Sequence, residues 1–259
     1  MKISSTELVA FANELADASG AVIRPHFRSG LMIEDKVDET PVTIADRSAE
    51  RALRDMIEAR FPEHGIAGEE FGVERGDAEY VWSLDPIDGT KSFVTGNPLF
   101  GTLIALTRAG YPFLGVIDMP VLGERWVGLE GEGTTFGGAP AQVRACAEIG
   151  SAWLLATSPT MFKGADQDAF DRIASAVKFP LYGGDCYNYG RLASGMVDLV
   201  VEAELQDYDF LATVPVIEAA GGIATDWDGE RLHRGSSGKV VCAGDARVHA
   251  AALKLLQGA

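Results

Sequence analysis

Cysteine is scarce in this chain: three residues in 259, at Cys146, Cys186 and Cys242. An odd number at scattered spacing excludes a disulfide scaffold and a cysteine-based zinc site, and Cys186 by itself reads as a small apolar packing residue. Histidine is scarce too, with four residues (His26, His64, His233 and His249), and no His-Glu-x-x-His pair occurs. A Gly-x-Ser-x-Gly nucleophile elbow is missing. Gly235-Ser236-Ser237-Gly238-Lys239 lacks the spacing of a phosphate-binding P-loop and reads as a surface turn. No apolar run reaches the roughly 18 residues of a membrane span. The first residues do not read as a signal peptide. They read as a capped helix, with Ser4 and Glu7 as a capping box and Leu8, Phe11, Ala12 and Leu15 on one face. Basic residues are in deficit, 22 against 38 acidic, for a net charge of −16, which argues against nucleic acid and anionic membranes as partners. No internal repeat or low-complexity tract is present. The chain reads as a cytoplasmic protein, and its 47% hydrophobic content supports a large core.

What is present is a concentration of carboxylates in short motifs. Tyr80-Val81-Trp82-Ser83-Leu84 alternates like a strand and runs into Asp85-Pro86-Ile87-Asp88-Gly89-Thr90. Such a segment brings two carboxylates and a carbonyl to one spot. Hard oxygen ligands suit Mg²⁺, which takes one or two carboxylates and completes its shell with water and phosphate. The N–H groups of Gly89 and Thr90, at the start of the next turn, suit a phosphate. Asp and Gly also cluster in ordinary turns. A calcium EF-hand does not fit, because Ile87 and Gly96 stand where oxygen ligands are required. Metal ligands and a phosphate cradle in one segment point to a metal-assisted phosphatase.

Other acidic motifs join this one. Gly68-Glu69-Glu70 follows a helix that Pro62 stops. Adjacent carboxylates face opposite sides of a strand, so Glu69 and Glu70 suit different ions; alone, such a pair is ordinary solvated surface. Asp207-Tyr208-Asp209 precedes the apolar helical stretch Phe210 to Ala220, where Asp209 taken alone is an N-cap. Asp46 precedes the amphipathic run Ala49, Leu53, Met56 and Ile57 and reads alone as a first-turn acid.

Gly68-Glu69-Glu70, Asp85-Pro86-Ile87-Asp88-Gly89-Thr90, then Tyr208-Asp209 with a helix ending Ala219-Ala220-Gly221-Gly222 come in that order. In this the chain resembles the inositol monophosphatase superfamily of Mg²⁺-dependent phosphatases over nearly its whole length. The resemblance implies a first Mg²⁺ on Glu69, Asp85 and the Ile87 carbonyl, and a second on Asp85, Asp88 and Asp209. It implies a third, weaker ion reached by Glu70 through water. Asp46 and the Thr90 hydroxyl would orient the attacking water, and the Gly89 and Thr90 N–H groups would hold phosphate. The usual Trp-Asp is Tyr208-Asp209 here, which keeps the carboxylate. Phosphomonoesters resist hydrolysis because a dianion repels nucleophiles and an alkoxide leaves badly. Divalent ions answer both difficulties without a Ser, Cys or His nucleophile. They also supply the local positive charge that a chain of net charge −16 lacks. Members of the superfamily are commonly homodimers, which is the expectation carried over.

The residues after Asp-Gly-Thr are Lys91-Ser92-Phe93, where inositol enzymes usually continue Thr-Asn-Phe. Together with Gly101-Thr102-Leu103-Ile104-Ala105-Leu106, Ala156-Thr157-Ser158-Pro159 and Gly183-Gly184-Asp185-Cys186-Tyr187, this looks most like the histidinol-phosphate phosphatase branch. Asp185 and Glu202 lie where the superfamily contacts the substrate alcohol. Two carboxylates there would pair with a cationic amine and an imidazole N–H. Taken alone, Asp185 reads as an N-cap and Glu202 as a solvated strand end. The expected substrate is L-histidinol phosphate. Inositol 1-phosphate or a sugar phosphate is the alternative, and a non-catalytic binding protein the more distant one.

Helices are predicted near 5–28, 44–60, 166–177, 186–195, 209–221 and 245–257. Strands are predicted near 80–84, 101–109, 112–119, 124–129, 152–157, 180–183, 197–202, 222–226 and 239–243. Ala109-Gly110 reads as a tight hairpin within an antiparallel meander. The resemblance implies an α/β/α/β/α sandwich. Its halves, 1–140 and 141–259, would join near residues 137–150, with the metal motifs in the first and substrate selection in the second.

Overall fold

Two large sheets with helices on both sides and between them, and a small two-stranded sheet, make up the protein, as seen in a computed structural model that describes residues 4–29, 33–35 and 41–258. In chain order the elements are α1 (Ser5–Ile23), β1 (Ile33–Asp35), β2 (Pro41–Thr43), α2 (Ile44–Arg60), β3 (Gly65–Gly68), β4 (Gly72–Glu74), β5 (Tyr80–Asp88) and α3 (Thr90–Val94). Next come β6 (Gly101–Arg108), β7 (Tyr111–Met119), β8 (Glu124–Leu129), β9 (Gly133–Phe136) and β10 (Ala139–Ala141). The chain then crosses to β11 (Trp153–Ala156), α4 (Ala165–Ala176), β12 (Phe179–Tyr182), α5 (Tyr187–Ala193) and β13 (Leu199–Glu202). It ends with α6 (Asp207–Phe210), α7 (Thr213–Ala219), β14 (Ile223–Thr225), β15 (Val240–Ala243) and α8 (Ala246–Gln257).

Among the described residues, the first large sheet has eight strands in the order β10-β9-β8-β7-β6-β5-β3-β4, and the second has five in the order β12-β11-β13-β15-β14. Strand alternation sorts the apolar residues into three layers of core. Ile104 and Leu106 of β6 face α1 and α2, meeting Phe11, Leu15, Leu53 and Ile57. Their neighbours Leu103 and Ala105 face the other way, onto Tyr189 and Leu192 of α5 and Val216 and Ile217 of α7. Val200 and Cys242 of the second sheet close that middle layer. Leu199, Val201, Val241 and Ala243 point outward to Phe170 and Ile173 of α4 and Val248 and Ala252 of α8. The result is the expected α/β/α/β/α sandwich.

Close approach in the middle layer depends on absent side chains. A Cβ on Gly115 of β7 would lie 2.0 Å from the carbonyl oxygen of Ala212, between α6 and α7. The meander has the expected tight hairpin, with Ala109 at φ 49° and Gly110 at φ 88°.

Three expectations are corrected. Helix 5–28 stops at Ile23 and continues only as a 3-10 turn, Arg24–His26, because Pro25 has no N–H to give the Ala21 carbonyl. Helix 209–221 is two helices, α6 and α7. Pro215 has no N–H for the Leu211 carbonyl, and its ring crowds that group, so the helix restarts. Strand 80–84 runs on through Asp88. Short elements were also missed: β3, β4, α3, β9 and β10.

Candidate active site and metal centre

Residues i and i+3 of a regular strand point to opposite faces, so β5 must depart from regularity to bring Asp85 and Asp88 together. It does so with a bulge. Asp85 pairs with Leu103 of β6 and Asp88 with Gly101, so three steps on one strand match two on the other. The Ile87 N–H donates to Asp85 Oδ1 at 3.0 Å, and the Thr102 hydroxyl donates to the Pro86 carbonyl at 2.7 Å. The Ile87 side chain anchors the bulge in a pocket of Ala45, Ala49, Phe93 and Phe100. The Thr90 hydroxyl donates to the Ile87 carbonyl at 3.2 Å.

Other elements deliver their acids to the same place. β3 lies parallel to β5, with Gly68 beside Leu84, and the Glu69 N–H donates to the Leu84 carbonyl. Glu69 and Glu70 therefore emerge next to Asp85. Asp46 comes from the first turn of α2 and is buried. Asp209 arrives on α6. It is not an N-cap: it is the third residue of that helix, and its carboxylate accepts the Gln206 N–H at 2.7 Å.

Two groups of carboxylates result. One oxygen from each of Asp85, Asp88 and Asp209 falls within 4.8 Å of the others, and the same holds for Asp46, Glu69 and Glu70. The groups adjoin. The Asp85 carboxyl sits well above its ordinary range because it is buried and because Glu69, Asp88, Asp209 and Asp46 repel its charge. Burial, then Asp185 and Asp209, push Asp88 up. Asp209 is raised to about 7 by burial, with Glu69 and Glu202 adding to the rise. The Tyr208 phenol is also raised, by burial and by Glu69. So many acids packed together are costly without positive charge. The donor set is all hard oxygen, which fits Mg²⁺ in chemistry. The second group differs from the sequence expectation: it sets Glu69 and Glu70 together, where different ions were expected for them, and it adds Asp46.

The second half of the chain closes the site. Tyr182 leads into Gly183 and Gly184, at φ 92° and 108°, and Asp185 follows at φ 44°, left-handed and unusual for a side-chain-bearing residue. The Cys186 N–H donates to Asp88 Oδ2 at 2.6 Å. Asp185 Oδ2 accepts the Ser92 hydroxyl at 2.7 Å. Its carboxylate lies so near Gly89 that a Cβ there would come within 2.6 Å of Oδ2. Asp185 is not an N-cap; Cys186 takes that position, without a side-chain cap. Burial raises the Asp185 carboxyl, while Ser92 and Lys91 hold it down.

Glu202 is not a solvated strand end. It is 2% exposed. Oε1 accepts the Thr157 N–H and hydroxyl at 2.8 and 2.6 Å, and Oε2 accepts the Tyr189 hydroxyl at 2.7 Å. Burial raises its carboxyl. The bracing roles of Ser92, Thr157 and Tyr189 were not anticipated. No local pattern announces them, because their partners are 93, 45 and 13 positions away.

A model of the inositol monophosphatase family matches residues 4–259. The chain belongs to that family. It is 52% identical to the bifunctional phosphatase IMPL2, chloroplastic, of Arabidopsis thaliana, over 99% of this chain and 78% of that one. It is 37% identical to a histidinol-phosphatase of Chlorobaculum parvum, over 85% of this chain and 86% of that one. An inositol monophosphatase from Zymomonas mobilis superposes with a TM-score of 0.92 at 44% identity, covering 99% of this chain and 100% of that one. This family member is a phosphatase with acidic groups able to hold metal. Among its described residues no helix is long and apolar enough to cross a membrane.

Proposed function

We propose that the chain is a Mg²⁺-dependent phosphomonoesterase that converts L-histidinol phosphate to L-histidinol and phosphate, a step of histidine biosynthesis. The observation that carries the substrate assignment is Asp185, a half-buried carboxylate braced by Ser92 against Gly89 at the mouth of the acidic groups. A carboxylate there pairs with a cationic amine. Relatives named histidinol-phosphatase from Streptomyces coelicolor and Mycobacterium tuberculosis support the same reading, each 35% identical.

In this reading Asp85, Asp88 and Asp209 would hold one ion, and Glu69 and Glu70, grouped with Asp46, a neighbouring one, to which Asp85 and the Ile87 carbonyl would also contribute. The ions would supply Lewis-acid activation of water and neutralise the phosphate oxygens. The protein's own contribution is positional. Gly89 and Thr90 present backbone N–H groups to the phosphate. Asp46 and the Thr90 hydroxyl orient the attacking water. Asp185 holds the substrate ammonium. Glu202 has three of about four acceptor positions filled, so it offers at most one to the imidazole N–H. A homodimer and a cytoplasmic location belong to the same proposal; light scattering after size exclusion tests the first and cell fractionation the second.

The test is phosphate release from L-histidinol phosphate and myo-inositol 1-phosphate, with and without Mg²⁺. A strong Mg²⁺-dependent preference for the former supports the reading. Preference for the inositol ester would retain the metal chemistry and move the substrate to a neutral polyol, as the name of the Zymomonas mobilis relative suggests. No release from either would leave a binding protein.

A further inference from the structure

Glu50 and Arg54 of α2 form an ion pair at 2.7 Å whose side chains are 0% and 2% exposed. Removing two charges from water is expensive, and attraction between them recovers the cost only when every other bonding position is well used. The use here is specific. Glu50 Oε2 accepts the Glu70 N–H at 2.7 Å, and Oε1 accepts the Phe71 N–H at 3.2 Å. Arg54 donates onward to the Gly72 carbonyl and, at 3.0 Å, to Glu74 Oε1. The Phe71 ring lies 4.2 Å from the Arg51 guanidinium. The fit is tight enough that a Cβ on Gly68 would sit 2.1 Å from Glu50 Oε1. The pair thus grips the backbone of Glu70, Phe71 and Gly72, in the turn that presents Glu69 and Glu70.

Helix geometry adds the second part. Asp46 and Glu50 are four residues apart on α2, so they share one face. Asp46 meets the side chains of Glu69 and Glu70. Glu50, one turn on, holds their backbone.

We propose that Glu50 is a positioning residue of the metal centre: it fixes the turn carrying Glu69 and Glu70 relative to Asp46, and so sets the affinity of that group for a divalent ion. The inference rests on the reading of the acidic groups as metal sites. Glu50 touches neither ion nor substrate, because both of its oxygens are committed to the turn and to Arg54.

The experiment is calorimetric titration of Mn²⁺ into protein without substrate, comparing wild type, Glu50→Gln, Glu50→Asp and Asp88→Asn, with melting curves in chelator. Supporting residues of metal sites change affinity by roughly 10- to 100-fold. Glu50→Gln is expected to weaken one class of Mn²⁺ site by about tenfold or more while leaving the other, which Asp88→Asn weakens. Glu50→Asp keeps the charge but shortens the reach, and is expected to weaken the same class several-fold; it carries the test if Glu50→Gln does not fold. Lower melting temperatures with unchanged Mn²⁺ affinity in both Glu50 variants would overturn the proposal and leave the pair as a purely structural one. No Mn²⁺ binding by the wild type would overturn the metal reading itself.

Discussion

The Ser92 hydroxyl donates a 2.7 Å hydrogen bond to the Asp185 carboxylate, joining residues 93 positions apart. Ser92 lies on α3, just after the Asp85–Thr90 motif, and Asp185 lies in the loop that enters α5 from the second sheet. One bond thus couples the segment that follows Asp85 and Asp88 to the residue we assign to substrate selection.

That coupling makes a substrate-dependent prediction. A hydrogen bond to a charged group contributes about 1.5–3 kcal/mol, or roughly 10- to 100-fold in rate. Asp185→Asn is expected to lower kcat/KM on L-histidinol phosphate by about that factor, and on an arylphosphate by much less. Ser92→Ala should show a smaller loss in the same direction. Equal losses on both substrates would assign Asp185 to folding or general catalysis.

Asp85 faces Glu69, Asp88, Asp209 and Asp46. Replacing it by a neutral isostere removes a ligand and also a crowded buried charge. Asp85→Asn is expected to lose at least about 100-fold in activity while the chelator-treated protein keeps or gains stability, by roughly 1 kcal/mol. Thermal melting in chelator and phosphate release with Mg²⁺ separate the two effects. A marked loss of stability in chelator would contradict the charge-crowding argument.

The same crowding predicts the pH dependence of the metal-stripped protein. The Asp209 carboxyl is raised to about 7 in the fold from an ordinary 3.8, and Asp85 and Asp88 are raised with it. Between about pH 4 and 7 the folded chain therefore holds more protons than the unfolded one, and these groups add stability as pH falls. They withdraw it as pH rises through about 7. Metal-stripped protein is expected to melt higher near pH 5.5 than near pH 7.5, and Asp209→Asn should flatten that difference. Mg²⁺ should raise the melting temperature more at the higher pH, because cation and proton compete for the same oxygens.

Gly115 admits the Ala212 carbonyl at a distance no side chain would allow. Gly115→Ala is expected to cost about 1–3 kcal/mol by overpacking. Displacement of the segment between α6 and α7 should also weaken Mn²⁺ binding through Asp209. Gly123→Ala serves as a control, since a Cβ at Gly123 meets nothing within 4 Å and its φ of 69° leaves only the backbone strain. Urea unfolding of the two variants, with Mn²⁺ titration of each, checks both parts.

Some of this molecule can be read from residues close together in sequence. The amphipathic spacing of α2 predicts a helix over 44–60, where Ile44–Arg60 is found. The Ala109-Gly110 turn marks the hairpin between β6 and β7. The acidic motifs mark the neighbourhood of the site because each is a run of ligand-type side chains within a few residues. Short strands such as β4 and β10 do not announce themselves, since three residues are too few to establish a period.

By itself, the sequence determined which chemistry was available: hard-oxygen donors in ordered motifs, a deficit of thiols and imidazoles, and apolar patterns long enough to form layered sheets. Tertiary structure decided how those donors are grouped. The bulge in β5 turns Asp85 and Asp88 to one side, and the parallel pairing of β3 with β5 sets Glu69 beside Asp85. Packing of α2 brings Asp46 to Glu69 and Glu70, and the loop before α5 lays Asp185 over Gly89. It also buried Glu202 among Thr157 and Tyr189, where the strand pattern alone placed it in water. The physical reason is range: propensity and periodicity act over a few residues, whereas bulge register, sheet pairing and desolvation depend on segments far apart in the chain.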